Sequence, residues 1–347
     1  MMGEKPLGEE PYFSTELGAA YLGDSLSLLP KIEPKSIDLI CTSPPFALKR
    51  KKAYGNVSAR EYVSWFKQFA EEFRRILKPK GSLVIDIGGT WVKGYPIRSL
   101  YQFELVIELC KPVEEGGCGF NLAQELYWYN PAKLPTPAEW VTVRRERVKD
   151  AVNTVWWLCL DKHPKANNRR VLKPYSESQK KLMKKGYKPK IRPSEHAISN
   201  KFGKDNKGAI PPNIIDAIDE ESEYEIGDSV LVPVNVISAA NTSSNDPYLR
   251  ACRLHKIKPH PARFPPEIPE FVIGLCTQKG DIVLDPFAGS NMTGYIAEKM
   301  GRRWIAIEKR EKYLIGAKFR FDFDTESIAI LENQKTLEEQ NQARLVN

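Results

Sequence analysis

Polar and apolar positions alternate regularly in two stretches of this chain and lose that regularity between them. From Gly18 to Leu160, short β-branched runs take turns with segments whose apolar residues recur every three or four positions. Ala19-Ala20-Tyr21-Leu22 reads as a strand ending at Gly23-Asp24, and Ser25 to Leu29 starts a helix. Ile37 to Cys41 is the next strand. Arg60 to Leu77 places Tyr62, Trp65, Phe66, Phe69, Phe73, Ile76 and Leu77 on one helical face, and Lys78-Pro79-Lys80-Gly81 stops that helix. Ser82 to Ile87 is a buried strand opening into Gly88-Gly89. A helix over Ile97 to Cys110 follows, then strands over Ala123 to Tyr129 and Ala151 to Leu160. From about Asp161 to Lys258 the pattern lapses into Lys, Asn, Ser and Pro, with brief apolar runs such as Val230 to Ile237. Regularity returns with a helix from Pro265, a strand over Asp281 to Leu284 and a helix over Asn291 to Met300. A strand over Arg303 to Ile307 and a helix over Glu311 to Phe319 complete it, and the polar tail after Asp324 reads as a terminal helix or a frayed end.

The second regular stretch holds only two strands and would leave both edges of a parallel sheet open. The pattern therefore predicts one mixed, mostly parallel α/β sheet with helices on both faces. Residues 1–160 and 259–347 would build it together, with 161–258 inserted as a separate, less regular module.

Composition narrows the class. A hydrophobic share of 41% and a charged share of 28% over 347 residues are those of a globular protein with ample core material. No run of eighteen apolar residues occurs and the first ten residues are polar and acidic, so the expectation is a cytoplasmic protein. Six cysteines are scattered without a C-x-x-C pair, which fits reduced structural thiols. Of four histidines only His255 and His260 are close, and no cysteine or carboxylate stands beside them at ligand spacing, so no metal is expected. Residues 161–210 carry 15 Lys/Arg against 4 Asp/Glu, an excess larger than the +8 of the whole chain. That concentration suits phosphate contacts, or equally a solvated basic loop.

Candidate chemistry lies in two loops, each following a buried strand. Open α/β sheets place ligands at such carboxyl ends. Asp285-Pro286-Phe287-Ala288-Gly289-Ser290 offers a glycine for close backbone approach and the free N–H groups of a helix start. Glu308 ends the next strand, where a carboxylate can accept from two ribose hydroxyls. G-x-G-x-x-G and a terminal Gly-Lys-Ser/Thr are both absent, which disfavours a dinucleotide or a nucleoside triphosphate and favours S-adenosylmethionine. Near the other end, Cys41-Thr42-Ser43-Pro44-Pro45-Phe46 combines a hydroxyl, prolines that supply no N–H and an aromatic face. A hydroxyl and a carbonyl can pull an exocyclic amine of a nucleobase toward tetrahedral geometry and accept its proton.

These residues resemble the S-adenosylmethionine-dependent amino-methyltransferases of DNA. Thr42-Ser43-Pro44-Pro45-Phe46 looks like their catalytic motif and Asp285 to Ser290 like their cofactor motif. Catalytic motif first, recognition module in the middle and cofactor motif last is the order of the β group, and Ser-Pro-Pro is the cytosine-N4 version. The likeness extends to Tyr21 to Ser25, Lys149 to Trp157 and His260 to Pro265. It implies a circularly permuted Rossmann-like methyltransferase sheet, with 161–258 as the DNA-recognition module. It also implies that Phe264, Asp285, Phe287, Gly289 and Glu308 line the cofactor site, with Asp24 near the adenine and Thr42 and Ser290 alongside. Ser43 and the Pro44 carbonyl would hold the target amine, Pro45 would stiffen the loop, Phe46 would stack on the extruded cytosine, and Asp86 would help receive the proton. The family's F-x-G-x-G becomes Phe287-Ala288-Gly289-Ser290-Asn291, and Asn tolerates a left-handed backbone. The implied function is methylation of cytosine N4 in duplex DNA by base flipping, beside a cognate restriction endonuclease acting on the same site. N6-adenine methylation, an RNA substrate and a catalytically silent DNA-binding protein are the alternatives. Cysteine-nucleophile chemistry is not expected, because Cys41 precedes the motif and packs in the strand end.

Overall fold

A computed structural model describes residues 6–47, 57–130, 133–186, 190–191, 197–198, 204–215, 246–263 and 265–321. Eleven strands and eight α-helices occur among them. In chain order these are β1 (Phe13–Ser14), β2 (Gly18–Leu22), α1 (Ser25–Leu28), β3 (Ile37–Thr42), α2 (Tyr62–Ile76), β4 (Leu77–Ile87) and α3 (Tyr101–Cys110). Then come β5 (Asn121–Tyr129), β6 (Val152–Cys159), α4 (Glu177–Lys185), β7 (Lys190–Ile191), β8 (Ala197–Ile198), β9 (Ile214–Ile215) and α5 (Pro247–Leu254). The chain closes with α6 (Glu267–Cys276), β10 (Ile282–Asp285), α7 (Met292–Lys299), β11 (Arg303–Glu308) and α8 (Glu311–Lys318).

Nine strands form one mixed sheet in the order β1-β2-β11-β10-β3-β4-β6-β5-β9. The five central strands from β2 to β4 run parallel, whereas β6 is antiparallel to both β4 and β5. β2 and β3 follow one another in the chain, yet the two late strands β11 and β10 stand between them. The two regular stretches thus complete one sheet, as the open-edge argument requires.

Alternation along each strand divides the core into two layers. Tyr21, Ile40, Ile85, Ile305 and Ile307 pack beneath Phe66, Phe69, Phe73, Tyr101 and Leu105 of α2 and α3. Their neighbours Ala20, Leu39, Cys41, Val84, Val283 and Trp304 pack against α6, α7 and α8 on the other face. The apolar face of α2, with Tyr62, Phe66, Phe69, Phe73 and Ile76 buried, is the one its sequence periodicity predicts.

Several details differ from the sequence reading. Lys78 to Gly81 ends α2 but already belongs to β4, because the ladder to β3 starts at Ile37 and Leu77 and shifts register before Leu39. The two-residue strands β1 and β9 are too short to leave a periodic signal. Helices α4 and α5 lie in the stretch read as irregular. Packing does not break at residue 161. The Lys165 Nζ reaches Asp281 (2.6 Å) and Asp38 (3.3 Å), Arg170 donates to the carbonyls of Gly274 and Leu275, and β9 extends the sheet beside β5. The Val230 to Ile237 run, most of the lysine-rich segment after Gly186, and the tail from residue 322 lie outside the described residues. Among the described residues, no helix is long and apolar enough to cross a membrane.

Candidate active site

The connections leaving β10 and β3 turn to opposite faces of the sheet, which opens a crevice at the carboxyl ends of these neighbouring strands. A cavity of about 760 Å³ occupies it, within the range of small-molecule sites. Ser43, Pro44, Pro45, Phe46 and Asp86 line one part, and Asp24, Phe287, Gly289, Ser290 and Glu308 line another. Two segments separated by more than two hundred residues therefore share one chamber.

The cofactor-type wall is built by backbone geometry. Gly289 has φ +53°, and a Cβ there would come within 3.1 Å of the His260 ring. Asn291 also adopts the left-handed region (φ 54°) and caps α7 by accepting from Gly294 N at 3.2 Å. The turn thus survives the departure from the family pattern. Glu308 accepts from Gly289 N (2.9 Å) and Arg310 N (2.7 Å), and burial pushes its carboxyl up. The Lys309 backbone N–H also bonds to this carboxylate, so three of its four acceptor positions are taken and one is left for a ligand hydroxyl. Asp24 caps α1 through Leu26 N (2.9 Å) and pairs with Lys309 (2.6 Å). Burial raises the Asp24 carboxyl, but Lys309 and the Leu26 amide outweigh it and hold it below its usual value. Ser290 is fixed by Arg320, whose Nε donates to its carbonyl (2.8 Å) and whose Nη2 donates to its hydroxyl (3.2 Å). The Phe287 ring lies 5.0 Å from Phe69 and 5.9 Å from Trp65, so α2 supplies an aromatic wall. Burial lowers the His260 imidazole to about 4, which keeps it neutral beside the turn. A glycine turn, a buried carboxylate acceptor and an apolar wall fit an adenosine-type ligand.

The amine-type wall centres on Ser43. Its Oγ donates to Asp86 Oδ2 at 3.0 Å, leaving hydroxyl lone pairs for another donor. Asn153 Nδ2 donates to Asp86 Oδ1 at 3.3 Å. Burial raises the Asp86 carboxyl to about 6 against these two hydrogen bonds and the Lys133 charge. The Phe46 ring lies against Gly88, where a Cβ would approach it to 2.6 Å. Trp91, Trp128, Lys133 and Asn153 also line the chamber. Asn153 and His260 stood in blocks singled out by resemblance but without a role. Lys133 lies in a loop that left no signal.

Two expected cofactor contacts are placed elsewhere. Thr42 and Asp285 do not line the chamber but bind each other beneath it at 2.7 Å. Asp285 also accepts from Thr293 Oγ1 (2.8 Å) and Phe287 N (3.0 Å), so protein donors occupy its carboxylate. Phe264 lies outside the described residues. Cys41 packs in the core and burial pushes its thiol well up, far from a nucleophile's state. Among the described residues, no group of three or more His, Cys, Asp or Glu is placed to hold a metal ion.

A permuted α/β sheet with a nucleoside-type turn and an amine-type loop in one crevice defines a methyltransferase of the DNA amino type. The family model described as DNA methylase, of the N6/N4 group, matches residues 37–319, and the chain belongs to that family. It is 46% identical over 317 residues to the type II methyltransferase M.PvuII of Proteus hauseri, covering 90% of this chain and 86% of that one. It is 27% identical over 333 residues to the type II methyltransferase M.ScaI of Streptomyces caespitosus, covering 94% and 88%. Among solved structures, the PvuII cytosine-N4-specific DNA methyltransferase superposes with a TM-score of 0.71 at 39% identity, covering 94% of this chain and 95% of that one. The protein is a DNA methyltransferase, and S-adenosylmethionine is its methyl donor.

Proposed function

We propose that this protein methylates N4 of cytosine in duplex DNA at a specific site, as one half of a restriction-modification pair. One observation carries the reading: Ser43–Asp86 and Gly289–Glu308 open into the same chamber. Glu308 and the Gly289 turn hold the nucleoside part of the donor, with Asp24, Phe287 and Ser290 around it. When bound, S-adenosylmethionine supplies an electrophilic methyl on a sulfonium. A stacked cytosine cannot reach Ser43, so the base turns out of the helix at a cost of a few kcal/mol that DNA contacts offset. Phe46 then offers a face for stacking. Ser43 Oγ, committed as a donor to Asp86, accepts one amino N–H of the target. The nitrogen lone pair would form the bond to methyl as the methyl–sulfur bond breaks and its electron pair stays on sulfur, leaving a neutral thioether. The surplus amino proton passes to Ser43 Oγ, and the serine proton passes to Asp86 Oδ2. A carboxyl raised to about 6 is ionised at neutral pH yet basic enough to take that proton.

Cytosine is favoured over adenine by the Ser-Pro-Pro motif and by similarity to a cytosine-N4-specific enzyme. Residues 161–258 form the recognition module in this reading, their lysines gripping phosphates, so affinity falls steeply with salt. The test is transfer of labelled methyl from S-adenosylmethionine to duplex DNA, single-stranded DNA and RNA, followed by nucleoside mass spectrometry. N4-methylcytosine in duplex DNA is the expected product. N6-methyladenine, or label in RNA alone, overturns the assignment.

A further inference from the structure

The Asp86 carboxylate is fed by a chain of side chains that continues past the residues already given a role. Lys133 Nζ donates to Asn153 Oδ1 at 3.0 Å, and Asn153 Nδ2 donates to Asp86 Oδ1 at 3.3 Å. Asn153 lies on β6 opposite Trp128 of β5, and Lys133 lies in the segment that follows β5. An ammonium has no lone pair, so the amide must turn its oxygen to Lys133 and its NH2 to Asp86. With the amide reversed, its oxygen would face a carboxylate oxygen, and Asp86 could bond to it only by holding a proton. The orientation of one amide thus decides which form of Asp86 the site prefers.

We propose that Lys133 is a positioning residue that, through Asn153, keeps Asp86 ionised and ready to accept the proton that Ser43 releases. The inference rests on the methyl-transfer reading above and adds a residue to it.

The surroundings leave this chain as the means of control. Tyr62 from α2, Tyr101 from α3 and Cys41 from β3 also face Asp86, and burial raises all three, so they stay neutral. Burial lowers the Lys133 ammonium, while Asp150 and Asp86 oppose that and Arg98 adds to it. Arg98 is itself paired with Asp150 at 3.1 Å. Lys133 is therefore the cation whose hydrogen bond leads to Asp86.

The test is the pH profile of kcat/KM for duplex DNA in wild type, Lys133→Met, Lys133→Arg and Asn153→Ala. Removing the cation should move the acid limb upward by about one pH unit, a roughly tenfold loss on the acid side that fades above pH 8. Lys133→Arg should restore the limb, Asn153→Ala should shift it as Lys133→Met does, and KM for DNA with its salt dependence should stay within about twofold. If Lys133→Met does not fold, Asn153→Ala alone decides. An unmoved limb in an active, folded variant overturns the inference. A loss equal at every pH with a raised KM for DNA also overturns it, and marks Lys133 as a phosphate contact. Wild-type protein that transfers no methyl to DNA overturns the function itself, a different outcome.

Discussion

Thr42 and Ser43 are consecutive, and each binds a buried aspartate on the strand to one side. Thr42 reaches Asp285 on β10, and Ser43 reaches Asp86 on β4. Burial raises both carboxyls to about 6. Their surroundings nevertheless assign them opposite work. Asp285 has three protein donors, Thr42, Thr293 and the Phe287 amide, lies outside the chamber lining, and ties the two halves of the permuted sheet together beneath it. Asp86 is reached by one hydroxyl and one amide and borders open space, so it can exchange a proton with what enters. A raised carboxyl pKa alone therefore does not identify a catalytic group. The partners that remain to be filled do.

The largest effect should come from Ser43→Ala. Methyl transfer should fall roughly 10²–10⁴-fold, the range for lost proton transfer, with DNA affinity and melting temperature nearly unchanged. Unchanged turnover would remove Ser43 from the chemistry. Asp285→Ala should instead unfold the protein more easily, by about 3 kcal/mol or more, because two hydroxyls and an amide lose their acceptor. Denaturant melts check this.

Asp285→Asn separates charge from hydrogen bonding. The wild-type Asp285 carboxyl moves from 3.8 to about 6 on folding, so the folded state holds the proton longer. Its contribution to stability is full below 3.8 and is lost as pH rises through about 6, by on the order of 3 kcal/mol. Asparagine can keep Thr42 and Phe287 on its oxygen while Thr293 turns to accept from its NH2. That variant should flatten this part of the stability–pH curve and be no less stable than wild type at neutral pH. A curve of unchanged slope would contradict the assignment. The smallest change belongs to Thr42→Val, about 1–2 kcal/mol of stability with turnover of the folded variant within tenfold.

Much of this was legible in sequence because buried strands and amphipathic helices leave periodic marks. The face of α2, the β10 turn and the acid ending β11 all follow from residue spacing. Strands of two residues carry no period, so β1 and β9 left none. The same limit applies to function. Resemblance placed Thr42 and Asp285 beside the cofactor, but only coordinates show their polar atoms turned toward each other. Lys133 was illegible for another reason: its meaning depends on Asn153, which a sheet register brings near Asp86.

Whether donor and target amine meet in one chamber is decided by a crystal structure with bound S-adenosylhomocysteine. A ribose hydroxyl is expected on the Glu308 carboxylate, with the sulfur directed toward Ser43. Binding outside the chamber, or a sulfur turned away from the Ser43–Asp86 pair, would contradict it.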